Sequence, residues 1–232
     1  MSGGGQVSDA AAGYAPMAEA QVADGAPGEA LDGSAKRRQI MEGARTVFLA
    51  SGFDGASMND VARSAGVSKG TLYVYFDSKE QLFEALIREE RRQQAERLTE
   101  LSLDSHDVRG VLLNFGCRLI EMMSRPDTLA QVRTVIAASA KFPQLGRAFY
   151  QAGPCFGANR LSGYMRRMTE EGVLRIADID RAAWQFLDLC QAGTFKPLLF
   201  CMVDELSARE IEAGVRAAVD VFMAAYGAPA TA

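Results

Sequence analysis

The chain has 232 residues, of which 48% are hydrophobic, and a formal net charge of −4 at pH 7. This length allows one large domain or two smaller ones that share an interface, and the composition allows a sizeable core. The overall acidity argues against a uniformly basic nucleic-acid binder. Residues 36–79, however, hold seven basic and four acidic residues, so a basic module is attached to an acidic body. The charge distribution therefore permits DNA binding without selecting it.

Residues 1–34 are predicted to form a disordered acidic tail. They are rich in Ala and Gly, and residues 1–35 contain five acidic residues and no Lys or Arg. They have neither the basic n-region nor the apolar h-region of a signal peptide. No stretch approaches the length of a membrane span, so we expect a cytoplasmic protein without a membrane partner. Residues 228–232 are predicted to be a second, short tail.

Order is predicted to begin at Ala35 with an amphipathic helix. A basic cluster is followed by apolar residues at helical spacing, and Gly52 is predicted to end the helix. The cluster is Lys36, Arg37 and Arg38, and the apolar residues are Ile40, Ala44, Val47 and Phe48. A basic start opposes the helix dipole, a mild cost that contact with phosphate would offset. A solvated charge run accounts for the cluster equally well.

Residues 57–79, SMNDVARSAGVSKGTLYVYFDSK, predict two short helices joined by a tight turn. Ser57 followed by Asp60 is a variant of the capping box at the start of the first helix. Gly66 stands where a helix ends in a left-handed residue, which glycine adopts without steric penalty. Two short helices in this arrangement are suited to placing the second one in the major groove of DNA.

The second short helix is predicted to begin at Lys69, after the cap Ser68, and to turn Leu72 and Phe76 inward. Lys69 can donate to a guanine edge or a phosphate, and small residues beside it allow close approach to the groove. The candidate DNA contacts in this region are Ser57, Ser68, Lys69, Gly70, Thr71, Tyr73, Tyr75 and Lys79. Each residue alone is more often a solvated or packing side chain, but their coincidence within about twenty residues is specific.

These strings resemble the N-terminal domain of the TetR/AcrR family of bacterial transcriptional regulators. The resemblance rests on GVSKGTLYVYFDSKEQLF and the preceding FLASGFDGASMNDVA, and it covers residues 36 to about 85. It implies base contacts from residues 68–71 and Tyr73, and phosphate contacts from Ser57, Tyr75 and Lys79. It also implies an N-terminal arm near the DNA backbone, which would be formed by Lys36 and Arg38. Position 74, often tyrosine in the family, is valine here and cannot donate to phosphate.

The remaining chain is predicted to be helical, so the fold class is all-α. A long helix from Ser78 to about Leu98 is predicted to link a helix-turn-helix domain, residues 35–82, to a larger helical domain, residues 83–227. Helical patterns follow at 106–124, 127–140, 143–171, 178–201 and 207–226, with a candidate break at Gly153-Pro154. Pro197 is expected either to kink its helix or to be accommodated at a bend.

The larger domain resembles that of AefR-like regulators within the same family. The matching strings are KFPQLGRAFYQAGP, YMRRMTEEGVLRIADIDRAAWQFLDLCQAG and AAVDVFMAAYG. The resemblance implies a pocket for a small effector, and the candidate lining residues are Phe115, Met122, Phe149, Phe156, Met165, Met168 and Trp184. Such residues at helical spacing are also typical of plain core. The resemblance implies a dimer interface on the last two long helices, through Leu187, Phe195, Leu198, Leu199, Val215, Val219, Phe222 and Met223.

Few residues offer other chemistry. Cys117, Cys155, Cys190 and Cys201 lie in apolar helical surroundings without C-x-x-C spacing, which favours buried reduced thiols over a redox sensor. His106, the single histidine, is expected to face solvent, and one histidine makes a His-based metal site or a Ser-His-Asp triad a poor candidate. We therefore expect no catalytic residue, no metal and no cofactor.

The sequence thus predicts a homodimeric regulator that binds double-stranded DNA, most simply a repressor released from a palindromic operator by a small apolar effector. An activator, or a regulator that needs its ligand to bind DNA, remains open because nothing in the chain fixes the sign of regulation. A helical enzyme would need convergent acid and base groups, which are not evident. An interaction module that had lost DNA binding would have a degraded second helix, whereas SKGTLY is intact.

Overall fold

The computed structural model describes residues 27–99 and 105–228, and within those ranges the chain is helical. The helices are α1 Pro27–Gly55, α2 Met58–Ser64, α3 Lys69–Tyr75, α4 Lys79–Thr99, α5 Val108–Met123, α6 Pro126–Ser139, α7 Pro143–Tyr150, α8 Phe156–Glu170, α9 Ile179–Gln191, α10 Phe195–Leu199 and α11 Ala208–Tyr226. The described ranges contain no strand, only an isolated antiparallel bridge between Leu174 and Gly227. The all-α prediction is confirmed.

Helix α1 begins earlier than predicted. It starts at Pro27, so residues 27–34 are helical and do not belong to a disordered tail. Proline suits the first position of a helix because its fixed φ is already helical, and this signal was hidden by the Ala- and Gly-rich composition around it. Residues 1–26 of the predicted tail, and residues 229–232, lie outside the described residues. Contacts define a compact unit that starts at Arg37, within α1.

Two glycines shape the chain around α2. Gly52 has φ +66°, so the helical path of α1 is interrupted where the sequence predicted its end. Gly66, with φ +63°, follows α2 as predicted. The side-chain amide of Gln39 in α1 donates to the carbonyl oxygen of Ala65 at 2.7 Å, which satisfies one of the exposed carbonyls at the end of α2. The turn between α2 and α3 is therefore stabilised both by the conformation of Gly66 and by the hydrogen bond from Gln39.

A first hydrophobic core joins α1–α4 to two helices of the C-terminal half. Its members from α1–α4 include Ile40, Phe48, Val61, Leu72, Phe76, Leu82, Phe83, Leu86 and Ile87. Val135 and Ala138 of α6 and Leu145 of α7 complete this core. The predicted domain boundary at residues 82 and 83 falls inside it, because Leu82 and Phe83 are both buried there. Helix α4 is therefore continuous with the helix-turn-helix unit, which we define as α1–α3.

A second hydrophobic core is formed by α5, α8, α9 and α11. Phe186 and Phe222 meet edge to face with their ring centroids 5.4 Å apart. Helices α5 and α11 approach closely at Gly116, where an added Cβ would lie 2.4 Å from Val215 Cγ1. Tight packing of this kind leaves no room for a larger residue at position 116. We refer to α5–α11 as the body.

Two helix interruptions in the body differ from prediction. The expected break at Gly153-Pro154 is instead a π-helical turn, Gln151–Cys155, which connects α7 to α8 without loss of helical backbone. The expected single helix over 178–201 is divided at Gly193, with φ +75°, into α9 and α10. Of the two alternatives for Pro197, the structure has the second: the chain bends at Gly193, and Pro197 lies in the first turn of α10, where its missing N–H is not needed.

None of the helices in the described ranges combines the length and apolarity that crossing a membrane requires.

Candidate nucleic-acid interface

Helix α3 has two distinct sides. Leu72 and the following Phe76 are buried in the first core. The opposite side, which we call the outer face of α3, consists of Lys69, Gly70, Tyr73 and Val74, all exposed. These four residues form two neighbouring i,i+4 pairs, so they occupy one continuous stripe of the helix surface. The sequence-predicted separation of inward and outward residues agrees with this burial pattern.

The outer face is open in front of Gly70. A Cβ added there would meet nothing closer than Ser68 Oγ at 3.8 Å, an ordinary contact, so the packing of the chain does not require glycine at this position. The ammonium of Lys69 lies 5.9 Å from the ring centroid of Tyr73, within reach of a cation–π interaction. The absence of bulk at Gly70 allows a partner to approach the helix closely beside these two side chains.

The serine and threonine residues predicted to contact DNA also form hydrogen bonds at the N-termini of α2 and α3. Ser68 Oγ accepts from the Thr71 backbone N–H at 3.0 Å, and the two hydroxyl oxygens lie 2.8 Å apart. Ser57 Oγ accepts from the Asp60 backbone N–H at 3.2 Å and donates to Asp60 Oδ2 at 2.5 Å. This hydroxyl contact is the main reason that the pKa of Asp60 is lowered. Both hydroxyls act as helix caps.

Lys79 makes contacts inside the chain that could not be predicted from the residues around it. Its ammonium donates to the carbonyl oxygens of Phe53 at 2.8 Å and Ala56 at 3.1 Å. It also lies 4.5 Å from the ring centroid of Phe53. Two of its three donors therefore stabilise the connection between α1 and α2, and the predicted phosphate contact stays a prediction. Tyr75, another predicted phosphate contact, is half-buried against the first core.

The basic residues of α1 have different surroundings. The guanidinium of Arg37 lies 5.1 Å from the ring centroid of Phe76, and its Nη1 is 3.2 Å from Met41 Sδ. Arg38 is exposed. Lys36 belongs to the part of α1 that precedes the compact unit. Arg37 therefore contacts the residue that follows α3, although the two positions are far apart in the sequence.

Two acidic side chains from other helices contact Arg45 of α1. Arg45 Nε lies 3.1 Å from Glu90 Oε1 of α4, and Arg45 Nη2 lies 3.1 Å from Asp127 Oδ2 at the start of α6. The side chain of Glu90 is mostly buried, so this contact is less screened than an exposed ion pair. Three helices, α1, α4 and α6, meet at one arginine.

The ion pairs continue into a buried polar cluster. The Gln131 side-chain amide donates to Glu90, and its oxygen accepts from Arg91. The guanidinium carbon of Arg91 lies 4.1 Å from the ring centroid of Phe149 in α7. Burial raises the pKa of Glu90, and Arg45 and Arg91 oppose that effect. Burial also lowers the pKa of Arg91 to about 10, with Glu90 opposing. We call Arg45, Glu90, Arg91, Asp127 and Gln131 the polar cluster.

The predicted effector-binding residues do not share one environment. Phe115, Met165 and Met168 are buried in the second core. Phe149 packs against the first core and under Arg91, and Phe156 is exposed. The remaining two, Met122 and Trp184, are partly buried beside the second core. Trp184 stacks on the exposed Tyr150, with centroids 5.5 Å apart and planes 9° apart.

Most of the predicted dimer residues face the interior of their own chain. The buried ones are Leu187, Leu198, Val215, Val219 and Phe222. Phe195, Leu199 and Met223 are half-buried. The buried five are corrected to core residues, because a side chain already covered within the protomer offers little surface to a partner. Exposed apolar residues on the same elements are Val221 of α11 and, after α10, Phe200, Met202 and Val203.

The cysteines and His106 complete the set of predicted residues. Cys155 and Cys190 are buried and Cys117 is half-buried, but Cys201 is exposed, contrary to prediction, in a turn with φ +56°. Burial, more than the neighbouring Cys117, raises the pKa of Cys190 to about 12, which disfavours a reactive thiolate. His106 is exposed as predicted, 2.8 Å from Glu171. Among the residues with described positions, no three His, Cys, Asp or Glu side chains gather as a metal site requires.

The two-sided α3, the capped α2 and the tight turn between them define a helix-turn-helix protein with a helical C-terminal domain. Profiles of known families match both parts of the chain. The profile of bacterial regulatory proteins of the tetR family matches residues 40–86. That of the C-terminal domain of AefR-like transcriptional repressors matches residues 110–228. The chain belongs to the TetR family, and its C-terminal domain is AefR-like.

Individual proteins agree with this assignment. The chain is 39% identical over 70 residues to the HTH-type transcriptional repressor AcnR of Corynebacterium diphtheriae, a match covering 30% of this chain and 37% of AcnR. The chain thus spans little more than a third of the length of the AcnR repressors that it matches. A solved structure from Mesorhizobium loti, described as a TetR-family transcriptional regulator, is 29% identical with TM-score 0.78, covering 84% of this chain and 98% of that one. The Flavonoid-responsive Regulator FrrA is 30% identical with TM-score 0.73, covering 85% and 100%.

Proposed function

We propose that the protein is a ligand-responsive transcriptional repressor that binds a near-palindromic operator as a homodimer. The outer face of α3 is the observation that carries this proposal. Lys69, Gly70, Tyr73 and Val74 are exposed together on the second helix of a helix-turn-helix unit, opposite a buried Leu72. A cation, a gap and a phenol on one helical stripe suit a major groove, where base edges and phosphates are both within reach.

Two copies of α3 would enter successive major grooves about 34–36 Å apart, which a two-fold symmetric dimer supplies. The exposed Val221 of α11 and the exposed turn at residues 200–203 are apolar surfaces that a dimer contact would cover. Val221→Glu is expected to weaken the dimer without unfolding the protomer, because its side chain is 54% exposed. Analytical ultracentrifugation at several concentrations measures this. Since bacterial DNA is cytoplasmic, we place the protein there too.

The polar cluster supplies a route from effector to DNA. Arg45 belongs to α1, and its partner Asp127 belongs to α6, so a shift of α6 against α1 must separate them. A shift of α7 against α4 must likewise separate Phe149 from Arg91. An effector that prefers the separated arrangement would move the helix-turn-helix units out of register with the operator, to the extent of that preference. FrrA, which is flavonoid-responsive by name, supports a small aromatic effector for the body.

The experiment is selection of bound duplexes from a random pool, followed by shift assays at fixed salt. A recovered palindrome with a constant half-site spacing is the expected result. Lys69→Ala should weaken operator binding by about 1–3 kcal/mol if Lys69 contacts a base. Lys196→Ala removes the same charge from an exposed position on α10 and should leave binding unchanged. Failure to recover any preferred sequence from the wild-type chain would refute the proposal.

Activation by the bound protein is the alternative. The sign of the response separates release from ligand-dependent binding: an effector that lowers operator occupancy in the shift assay supports release of the protein from its operator. An effector that raises occupancy supports a regulator that needs its ligand to bind DNA.

A further inference from the structure

Val74 is an unusual residue for the place that it occupies. Its side chain is 80% exposed, the largest exposure among the bulky hydrophobic residues in the described ranges. A β-branched residue in a helix is less favourable than alanine, because its side-chain rotamers are restricted. Burial does not compensate for this here, since the side chain contributes almost nothing to the core. Neither helix formation nor packing within the chain accounts for valine at position 74.

Its position on α3 points to the same partner as the rest of the outer face. Val74 lies one turn after Gly70 and next to Tyr73, so it projects to the same side of the helix as both. The rise from Gly70 to Val74 is about 6 Å along the axis, which is close to two base-pair steps of B-DNA. If the helix approaches the groove at Gly70, Val74 therefore comes within reach of bases about two steps away.

The chemistry of valine restricts what it can recognise there. It has neither a donor nor an acceptor, so it cannot pair with the N7, O6, N6 or N4 groups of the base edges. The apolar group exposed on the floor of the major groove is the C5-methyl of thymine. We propose that Val74 is a specificity-determining residue that contacts the C5-methyl of one thymine in each half-site. This inference rests on the proposed function, because it requires α3 to bind in the major groove.

The neighbouring side chains are less suited to this contact. Thr71 also carries a methyl group, but it is half-buried and its hydroxyl is held by Ser68. The ring of Tyr73 is the surface over which Lys69 lies. Val74 is the member of the outer face whose apolar surface is most available to a methyl group.

The test uses the duplex recovered by selection, with each thymine replaced singly by deoxyuridine, which lacks only the C5-methyl. At one thymine of each half-site, the replacement should weaken wild-type binding by roughly three- to tenfold. Val74→Ala should weaken binding to the unmodified duplex by a similar factor. The affinity of Val74→Ala should not change when that thymine is replaced by deoxyuridine, because this variant has already lost the contact. Thr71→Ser, which removes the other methyl group, should remain as sensitive as the wild type.

Two controls separate recognition from damage to the protein. The thermal midpoint of Val74→Ala should be no lower than that of the wild type, since the deleted atoms are exposed and alanine is the better helix former. Ile136→Ala truncates another exposed hydrophobic residue, on α6, and should bind every duplex as the wild type does. The inference is overturned if Val74→Ala responds to each deoxyuridine as the wild type does, or if Thr71→Ser is the insensitive variant. Those results leave DNA binding intact, whereas recovery of no preferred duplex refutes the proposed function itself.

Discussion

The outer face of α3 and the second core of the body are both built from helix surfaces, but their side chains have different partners. Val74 and Lys69 are exposed, and Gly70 leaves open space in front of it. Phe186 and Phe222, in contrast, are fully enclosed and contact each other. The comparison shows that substitutions on α3 can be tolerated by the fold and still change binding, whereas substitutions in the body first change stability.

The largest expected effect comes from truncating the body core. Phe222→Ala should lower the free energy of unfolding by about 3–5 kcal/mol, because it leaves a cavity beside Phe186. Urea unfolding at one protein concentration measures it. Ile136→Ala, at an exposed position on α6, should change that free energy by no more than about 0.5 kcal/mol. If Phe222→Ala instead dissociates the dimer and leaves the stability of each protomer unchanged, Phe222 is an interface residue, as the sequence predicted.

A substitution of Lys79 tests whether this residue contributes to the stability of the fold or to DNA binding. Lys79→Met removes the hydrogen bonds to Phe53 and Ala56 and should lower the free energy of unfolding by about 1–3 kcal/mol. The slope of operator affinity against salt should not change if those carbonyls are its partners. Arg38→Met, at an exposed position, should reduce that slope by about one and leave stability unchanged. A reduced slope for Lys79→Met would make Lys79 a phosphate contact as well.

Gly70→Ala should separate stability from binding. We expect the free energy of unfolding to rise by about 0.5–1 kcal/mol, because alanine is the better helix former and the added Cβ meets only Ser68 Oγ at 3.8 Å. Operator affinity should fall, since the methyl group holds the helix away from the bases. Gly163→Ala, in α8 with nothing within 4 Å of its added Cβ, should stabilise similarly and bind normally. Equal operator affinity for the two variants would contradict a close approach at Gly70.

The smallest expected effect is a change of pH dependence at the polar cluster. Burial raises the pKa of Glu90 above its ordinary value, so the folded chain takes up this proton at higher pH than the unfolded chain. Stability should therefore decrease as pH rises through the folded pKa, and Glu90→Gln should lose that decrease. Glu210 is a control of opposite sign, since its hydrogen bonds to Ser207 lower its pKa. Its contribution is lost as pH falls. Urea unfolding between about pH 4 and pH 7 compares the wild type, Glu90→Gln and Glu210→Gln, and identical slopes for the wild type and Glu90→Gln would contradict the prediction.

The helix-turn-helix unit could be predicted closely because its determinants are local. Ser57 and Ser68 cap the helices that follow them within three residues, and Gly66 adopts the left-handed conformation that the spacing required. Leu72 and Phe76 are separated by a single turn, so their common direction follows from the period of the helix. None of these inferences needs knowledge of what lies across the core.

The body could be predicted only as far as its helices, because the partners of its side chains are distant in sequence. Phe149 and Met168 are both apolar residues on helices, but one lies under Arg91 and the other is enclosed in the second core. The contact of Gln131 with Glu90 joins positions 41 residues apart. Helical periodicity gives the direction of a side chain relative to its own helix, and it does not identify the surface that covers it.

The stack of Trp184 on Tyr150 gives the body an internal optical reporter. Trp184 is the only tryptophan in the sequence, so all tryptophan fluorescence originates at the contact between α9 and α7. Helix α7 also carries Phe149, which packs on Arg91 of the polar cluster. A displacement of α7 by an effector would therefore change the emission of the unmodified protein, and candidate compounds can be screened without a dye, an engineered label or a known operator.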